Sequence, residues 1–115
     1  QIAILDQEEK AKVFNQACPL LVPLVEEGWV EHKITGLALK EYLAPLLREK
    51  IDTLILGCTH YPLLKKALRK AVGEKVALVD SAECCARFVF EHLALAGLLN
   101  PQRERKGHIR PFVTD

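Results

Sequence analysis

The residues best suited to chemistry lie together at positions 57–62, Gly-Cys-Thr-His-Tyr-Pro. Cys58, Thr59 and His60 place a thiol, a hydroxyl and an imidazole in one short segment. A thiolate can act as a base or a nucleophile, and a nearby imidazole can tune the thiol or relay its proton. In a turn, side chains two residues apart can converge on one pocket. We therefore predict a reactive Cys58, although a buried free thiol beside a surface histidine is the alternative that the residues alone leave open.

Local signals predict how the chain positions this segment. Residues 54–56, Leu-Ile-Leu, indicate a short strand that stops at Gly57, and Pro62 is suited to the first position of a helix. Ligands of open α/β sheets bind at the carboxyl ends of strands, and a helix N-terminus favours thiolates and carboxylates. The predicted site is therefore a strand-to-helix turn.

The rest of the chain alternates short apolar strands with amphipathic helices. This order predicts an α/β fold, a three-layer sandwich with a mainly parallel sheet and helices on both faces. Further strands are predicted at residues 13–18, 76–79 and 109–114. Pro111 favours a position at the edge of the sheet for the last of these. Residues 1–5 are predicted to be the end of a helix, and residues 20–27 a short helix or turn. Further helices are predicted after an N-cap at Thr35, with a kink or late start at Pro45, from Pro62 to Gly73, and at 82–96 after an Asp80-Ser81 cap. Residues 102–107 are predicted to be a polar loop.

Composition narrows the class of protein. The chain has 115 residues, which allows one domain at most, with 50% apolar and 27% charged residues and a net charge of +1. This balance predicts no nucleic-acid or membrane partner. Four cysteines without a secretory signal indicate reduced thiols and a cytoplasmic protein. The chain contains no Met and begins within an apolar pattern, so we expect it to be part of a longer protein.

A zinc site is not predicted. Cys18, His60, Cys84 and Cys85 are candidate ligands, but the last two are adjacent on a predicted helix and would point about 100° apart. Cys84 and Cys85 are therefore predicted to be core thiols. The basic residues within 65–70 are predicted to form a solvated helix face.

Two longer blocks carry a resemblance to a known family. They are residues 17–28, Ala-Cys-Pro-Leu-Leu-Val-Pro-Leu-Val-Glu-Glu-Gly, and residues 51–64, Ile-Asp-Thr-Leu-Ile-Leu-Gly-Cys-Thr-His-Tyr-Pro-Leu-Leu. Together with the Val-Asp-Ser strand end at 79–81, they make the chain resemble the glutamate racemases of the aspartate/glutamate racemase superfamily over nearly its whole length.

The resemblance implies a function and roles for particular residues. These enzymes interconvert L- and D-glutamate without a cofactor, supply D-glutamate for peptidoglycan and hence for cell-wall biogenesis and cell shape, and have two pseudo-symmetric α/β domains facing a cleft. Each domain contributes one cysteine, on opposite faces of the substrate. Cys58 matches the catalytic cysteine of the second domain, Thr59 and His60 match residues that contact substrate and assist the thiol, and Glu26 matches an acid on the same side. The implied partners are glutamate and, in the intact enzyme, a second copy.

The chain also departs from the family pattern. It lacks the Asp-Ser strand and the Cys block near Asn-Thr of the first domain, and the Gly-Thr strand that begins the second. By the resemblance, residues 1–81 are the second domain without its first strand, and residues 82–115 cross back to the absent first domain. We therefore expect half an active site and an inactive isolated chain. The alternatives are a related aspartate or hydantoin racemase, and a non-catalytic truncated interaction module.

Overall fold

The computed structural model describes residues 11–101, 107–108 and 110–112. The chain divides into two compact units between Cys84 and Cys85. The elements, in chain order, are α1 Leu21–Glu26, α2 Lys33–Arg48, β1 Thr53–Leu56, a 3₁₀ helix Tyr61–Leu64, α3 Lys65–Val72, β2 Ala77–Asp80 and α4 Ser81–Leu95.

The two strands pair in parallel. The register runs from Thr53 opposite Ala77 to Leu56 opposite Asp80. A parallel pair needs a crossover connection, which the 3₁₀ helix and α3 provide. The predicted α/β class with a parallel sheet is confirmed, and within the described residues the sheet holds these two strands. Both strands end at one edge, where the turn after β1 lies next to the beginning of α4.

The predicted strand at residues 13–18 is wrong, because residues 11–18 have no regular secondary structure. A strand needs a hydrogen-bonded neighbour, and this segment and β1 instead both line a cavity of about 810 Å³. The predicted strand at 109–114 lies partly outside the described residues, and 110–112 within it are not in a strand. The prediction for residues 1–5 falls outside the described residues, and so does the loop predicted at 102–107 except for residue 107, which has no regular secondary structure.

The predicted N-cap at Thr35 is also wrong. Helix α2 begins two residues earlier, and the Nδ1 atom of His32 accepts a hydrogen bond from the Ile34 N–H at 3.3 Å. Thr35 is fully buried, and its hydroxyl donates to the Trp29 carbonyl at 2.5 Å. The helix also continues through Pro45 to Arg48 and does not start late.

A leucine-rich core holds α2 and α3 against the sheet. Leu39 of α2, Leu56 of β1 and Leu64 of the 3₁₀ helix are almost inaccessible to solvent. No residue of α4 is buried, so the prediction that Cys84 and Cys85 are core thiols is wrong; both are exposed. Among the described residues, no helix is both long enough and apolar enough to cross a membrane.

Candidate active site

The turn that carries Cys58 is anchored on both sides by the core. Leu56 precedes it and Leu64 follows it, with 1% and 0% of their surfaces exposed. Within the turn, the Tyr61 N–H donates to the Cys58 carbonyl at 3.3 Å and the Leu63 N–H to the His60 carbonyl at 3.1 Å. Burial of the flanking leucines thus fixes the backbone from which the polar side chains project.

The structure brings Cys58 and His60 together. Their Sγ and Nδ1 atoms are 3.8 Å apart, within the reach of a hydrogen bond to sulfur, and both residues are half-buried. The hydroxyl of Thr59 lies 3.5 Å from the same Nδ1 atom and is exposed. A thiol, an imidazole and a hydroxyl therefore share one small surface at the carboxyl end of β1.

Glu26 reaches the other side of the His60 ring. Its Oε1 atom lies 3.5 Å from Nε2. Glu26 is the last residue of α1, directly after the buried Val25, and α1 packs against the 3₁₀ helix. An ionised carboxylate only accepts hydrogen bonds, so we assign the ring proton to Nε2, which leaves Nδ1 free to accept the proton of the Cys58 thiol.

Tyr61 is a site residue to which the sequence analysis gave no role. Its hydroxyl donates to the Cys18 carbonyl at 3.4 Å and so joins the two blocks, 43 residues apart. Burial raises the pKa of the Tyr61 phenol, and the Cys18 and Cys58 thiols raise it further. The phenol therefore remains a hydrogen-bond donor. Both residues lie inside the recognised blocks, but nothing in their spacing indicates that they pair.

Cys18 is suited to a structural role. Burial raises the pKa of its thiol, and its Sγ atom donates to the Gln16 carbonyl at 3.6 Å. A raised pKa keeps the thiol protonated, which disfavours Cys18 as a second base. Within the parts of the chain that the structure describes, no three His, Cys, Asp or Glu side chains are placed to hold a metal ion.

A charged cluster joins α3 to α4 beside this edge. Lys65 Nζ lies 2.9 Å from Asp80 Oδ2 and also contacts Glu83 Oε2. Asp80 Oδ1 accepts from the Ala82 N–H at 2.8 Å and the Glu83 N–H at 3.3 Å, which confirms the predicted cap. The hydrogen bond from Lys65 lowers the pKa of Asp80. Lys65 forms these ion pairs with 40% of its side chain still exposed, so the predicted solvated helix face also carries a contact to α4.

Comparisons with known proteins agree with the site's motif. The chain is 51% identical over 113 residues to the glutamate racemase of Syntrophus aciditrophicus, covering 98% of this chain and 42% of that protein. The crystal structure of Thermus thermophilus glutamate racemase in complex with β-chloro-D-alanine is also similar. The match covers 76% of this chain and 33% of the Thermus chain, with a TM-score of 0.68 and 47% sequence identity. The match with the Francisella tularensis glutamate racemase structure, in complex with D-glutamate, covers 89% of this chain and 38% of the Francisella chain, with a TM-score of 0.75 and 33% sequence identity.

No protein-family model matches the chain. The chain spans about two fifths of the length of the curated relatives that it matches. The described fold nevertheless follows the solved racemases with TM-scores up to 0.75. Sequence and fold together show that the chain is homologous to the C-terminal part of the glutamate racemases.

Proposed function

We propose that the chain provides one of the two proton-transfer faces of a cofactor-independent glutamate racemase, with Cys58 as the acid and base of that face. The observation that carries the proposal is the continuous contact from Glu26 through His60 to Cys58 at the carboxyl end of β1. Glutamate is the proposed substrate because the relatives carry the name glutamate racemase and one solved relative is in complex with D-glutamate.

The contacts around His60 supply a route to the reactive thiolate. Transfer of the Cys58 proton to His60 Nδ1 leaves a thiolate and an imidazolium, and the carboxylate of Glu26 stabilises the positive ring. In the presence of substrate, the thiolate removes the α-proton of one enantiomer and becomes a thiol, leaving the electron pair on the α-carbon. A second thiol on the opposite face then donates its proton to that carbon, which inverts the configuration.

The reverse reaction uses the same groups with their protonation exchanged. Cys58 then begins as the thiol and donates, while the opposite cysteine begins as the thiolate. Two thiols can meet both demands because a thiol pKa lies close enough to neutrality for either state to be used. The exposed hydroxyl of Thr59, beside the pair, is the proposed substrate contact together with His60.

The wider role follows from the proposed activity. D-Glutamate is supplied for peptidoglycan synthesis in the cytoplasm, by an enzyme that is a homodimer when intact. Residues 1–81 contribute to the second domain of that enzyme and residues 82–115 extend to the first. We place the opposing thiol in the first domain, so we expect the 115-residue chain assayed alone to be inactive.

A chimera tests the proposal directly. The 113 matched residues replace the corresponding part of the Syntrophus aciditrophicus glutamate racemase, and racemisation of L-glutamate and L-aspartate is followed by chiral chromatography. We expect conversion of glutamate by the chimera and none by the chain alone. A chimera with a native-like circular dichroism spectrum that is inactive, or that prefers aspartate, would contradict the proposal.

Thiol labelling of the chain by itself distinguishes an active-site cysteine from the thiol of a non-catalytic interaction module. Iodoacetamide labelling of Cys58 is measured by mass spectrometry, with the exposed Cys84 and Cys85 as internal references. We expect His60→Asn to slow the labelling of Cys58 severalfold and to leave the reference rates unchanged. Equal Cys58 rates in both proteins would mean that His60 does not activate the thiol.

A further inference from the structure

A second concave site lies between α2 and α3. It is a groove of about 530 Å³, within the volume range of small-molecule pockets. Its apolar floor is formed by Gly36 and Leu37 of α2 and by Ala67 and Ala71 of α3. None of the residues of the Cys58 turn lines this groove. Because three of the four floor residues are small, a flat group can approach the helix backbones closely.

Positive charge surrounds this apolar floor. Lys33 and Lys40 line the groove from α2, and Lys66 and Lys70 line it from α3; Glu31 is its one carboxylate. Four ammonium groups and one carboxylate leave a net charge of +3, whereas the whole chain carries only +1. The groove therefore concentrates positive charge, and the net charge of −2 on the rest of the chain offsets only part of it.

Only one of these lysines is neutralised by an ion pair. The ammonium group of Lys66 lies 2.8 Å from both carboxylate oxygens of Glu31. This hydrogen bond lowers the pKa of Glu31, and the charge of Lys70 lowers it further. Lys33, Lys40 and Lys70 have no ion-pair partner among the described residues. Three uncompensated charges thus surround the groove, and an anion there would relieve their mutual repulsion.

One end of the groove presents an aromatic ring and a directed donor. His32 lines the groove, and its ring packs on Trp29 with the ring centroids 4.9 Å apart. Nδ1 of His32 accepts the Ile34 N–H. The proton of the neutral ring is therefore on Nε2, which is left as a hydrogen-bond donor.

From this arrangement we infer that the groove binds a small phosphorylated molecule with a planar group, such as a nucleoside diphosphate. The unpaired lysines hold two phosphate groups as point charges, and the small-residue floor accepts the planar group. A purely apolar ligand would leave the charges unpaired, and a bare phosphate would leave the floor exposed to water. This binding site is independent of the function proposed for Cys58, so either can fail without the other.

Calorimetric titration of the chain tests the inference with three probes: ADP, inorganic pyrophosphate and adenosine. We expect ADP to bind most tightly, pyrophosphate more weakly, and adenosine most weakly or not at all. The affinity for ADP should also fall as salt is raised, because the contacts to phosphate are ionic. Absence of ADP binding would overturn the inference, and so would pyrophosphate binding as tightly as ADP, which would indicate unspecific attraction of anions.

Charge-matched variants locate the bound probe. Lys40→Gln and Lys70→Gln should each weaken ADP binding by about fivefold or more, as expected for the loss of a charge-assisted contact. Lys75→Gln makes the same change at an exposed lysine outside the groove and should leave the affinity unchanged. Circular dichroism spectra establish that each variant is folded. Equal affinity in all three variants, or an equal loss in all three, would overturn the assignment to the groove.

Discussion

Cys58 Sγ lies 3.8 Å from His60 Nδ1, a contact formed within a single turn. The two residues are two positions apart in the sequence, so the turn itself brings them together once β1 and the 3₁₀ helix are packed. The contact to Glu26 is different in kind, because that residue is 34 positions before His60 and depends on the packing of α1. The turn therefore sets the Cys58–His60 contact, and the packing of α1 sets the contact of His60 with Glu26.

Cys58→Ser in the chimera should nearly abolish racemisation. A serine hydroxyl is too weakly acidic to act as a base near neutral pH, and the nearly isosteric change should preserve the fold. With β-chloroalanine, removal of one α-proton is enough for elimination of chloride. The variant should therefore still process the enantiomer whose proton faces the other cysteine and lose the one that faces Cys58. Equal loss for both enantiomers would mean that Cys58 supports the site without transferring protons.

Glu26→Gln should reduce the racemisation rate of the chimera, because the imidazolium of His60 loses the carboxylate beside it. His60→Asn should have the larger effect, within the ~10²–10⁴-fold range typical of acid–base assistance. Glu27→Gln, the same change at the exposed neighbour, is the matched control and should leave the rate unchanged. Similar rates for Glu26→Gln and Glu27→Gln would remove Glu26 from the proposed site.

Thr35→Val should destabilise the chain by about 0.5–1.5 kcal/mol, because it removes the hydrogen bond from the buried Thr35 hydroxyl to the Trp29 carbonyl, while the His32 N–H still donates to that carbonyl at 3.1 Å. Urea denaturation followed by circular dichroism measures the change in the free energy of unfolding. Thr53→Val at the exposed start of β1 is the control and should have little effect. An unchanged midpoint for Thr35→Val would show that the buried hydroxyl contributes nothing to stability.

Asp80 should make the chain sensitive to acid. Its folded pKa lies below the ordinary value, so its stabilising effect is complete above the unfolded pKa of about 3.9 and is lost as the pH falls from there through the folded pKa. Asp80→Asn should therefore be less stable than the unsubstituted chain at pH 7, with a difference that shrinks near pH 3. Thermal melts at both pH values measure this. The exposed Asp52→Asn is the control, and a difference that does not depend on pH would exclude the ionised carboxylate as the cause.

The chain alone should self-associate through α4. Phe88, Val89, Phe90 and Leu93 of this helix are all between 37% and 60% exposed, and this much exposed apolar surface favours association. Sedimentation velocity should show a species larger than a monomer that dissociates on dilution, and Phe90→Lys should shift the population towards monomer. Phe112→Lys replaces an aromatic residue that is 86% exposed outside α4 and should change little. A strict monomer at all concentrations would contradict this expectation.

The sequence by itself determined the features that depend on neighbouring residues. The apolar run before Gly57 and the proline after His60 were enough to predict the strand, the turn and the helical segment that follows. The Asp80 cap was equally predictable, because a carboxylate accepts hydrogen bonds from backbone N–H groups two and three residues later. Such signals act within one turn of chain and survive in almost any tertiary context.

Tertiary structure decided the contacts between distant segments and overruled local signals in several places. Residues 13–18 have the composition of a strand but do not pair with β1, because a strand forms only where a neighbour offers its backbone hydrogen bonds. Thr35 was predicted to be a helix N-cap, but it is buried and its hydroxyl donates to the Trp29 carbonyl. The pairs Glu26–His60 and Lys65–Asp80 likewise arise from the packing of whole elements, which residue spacing does not encode.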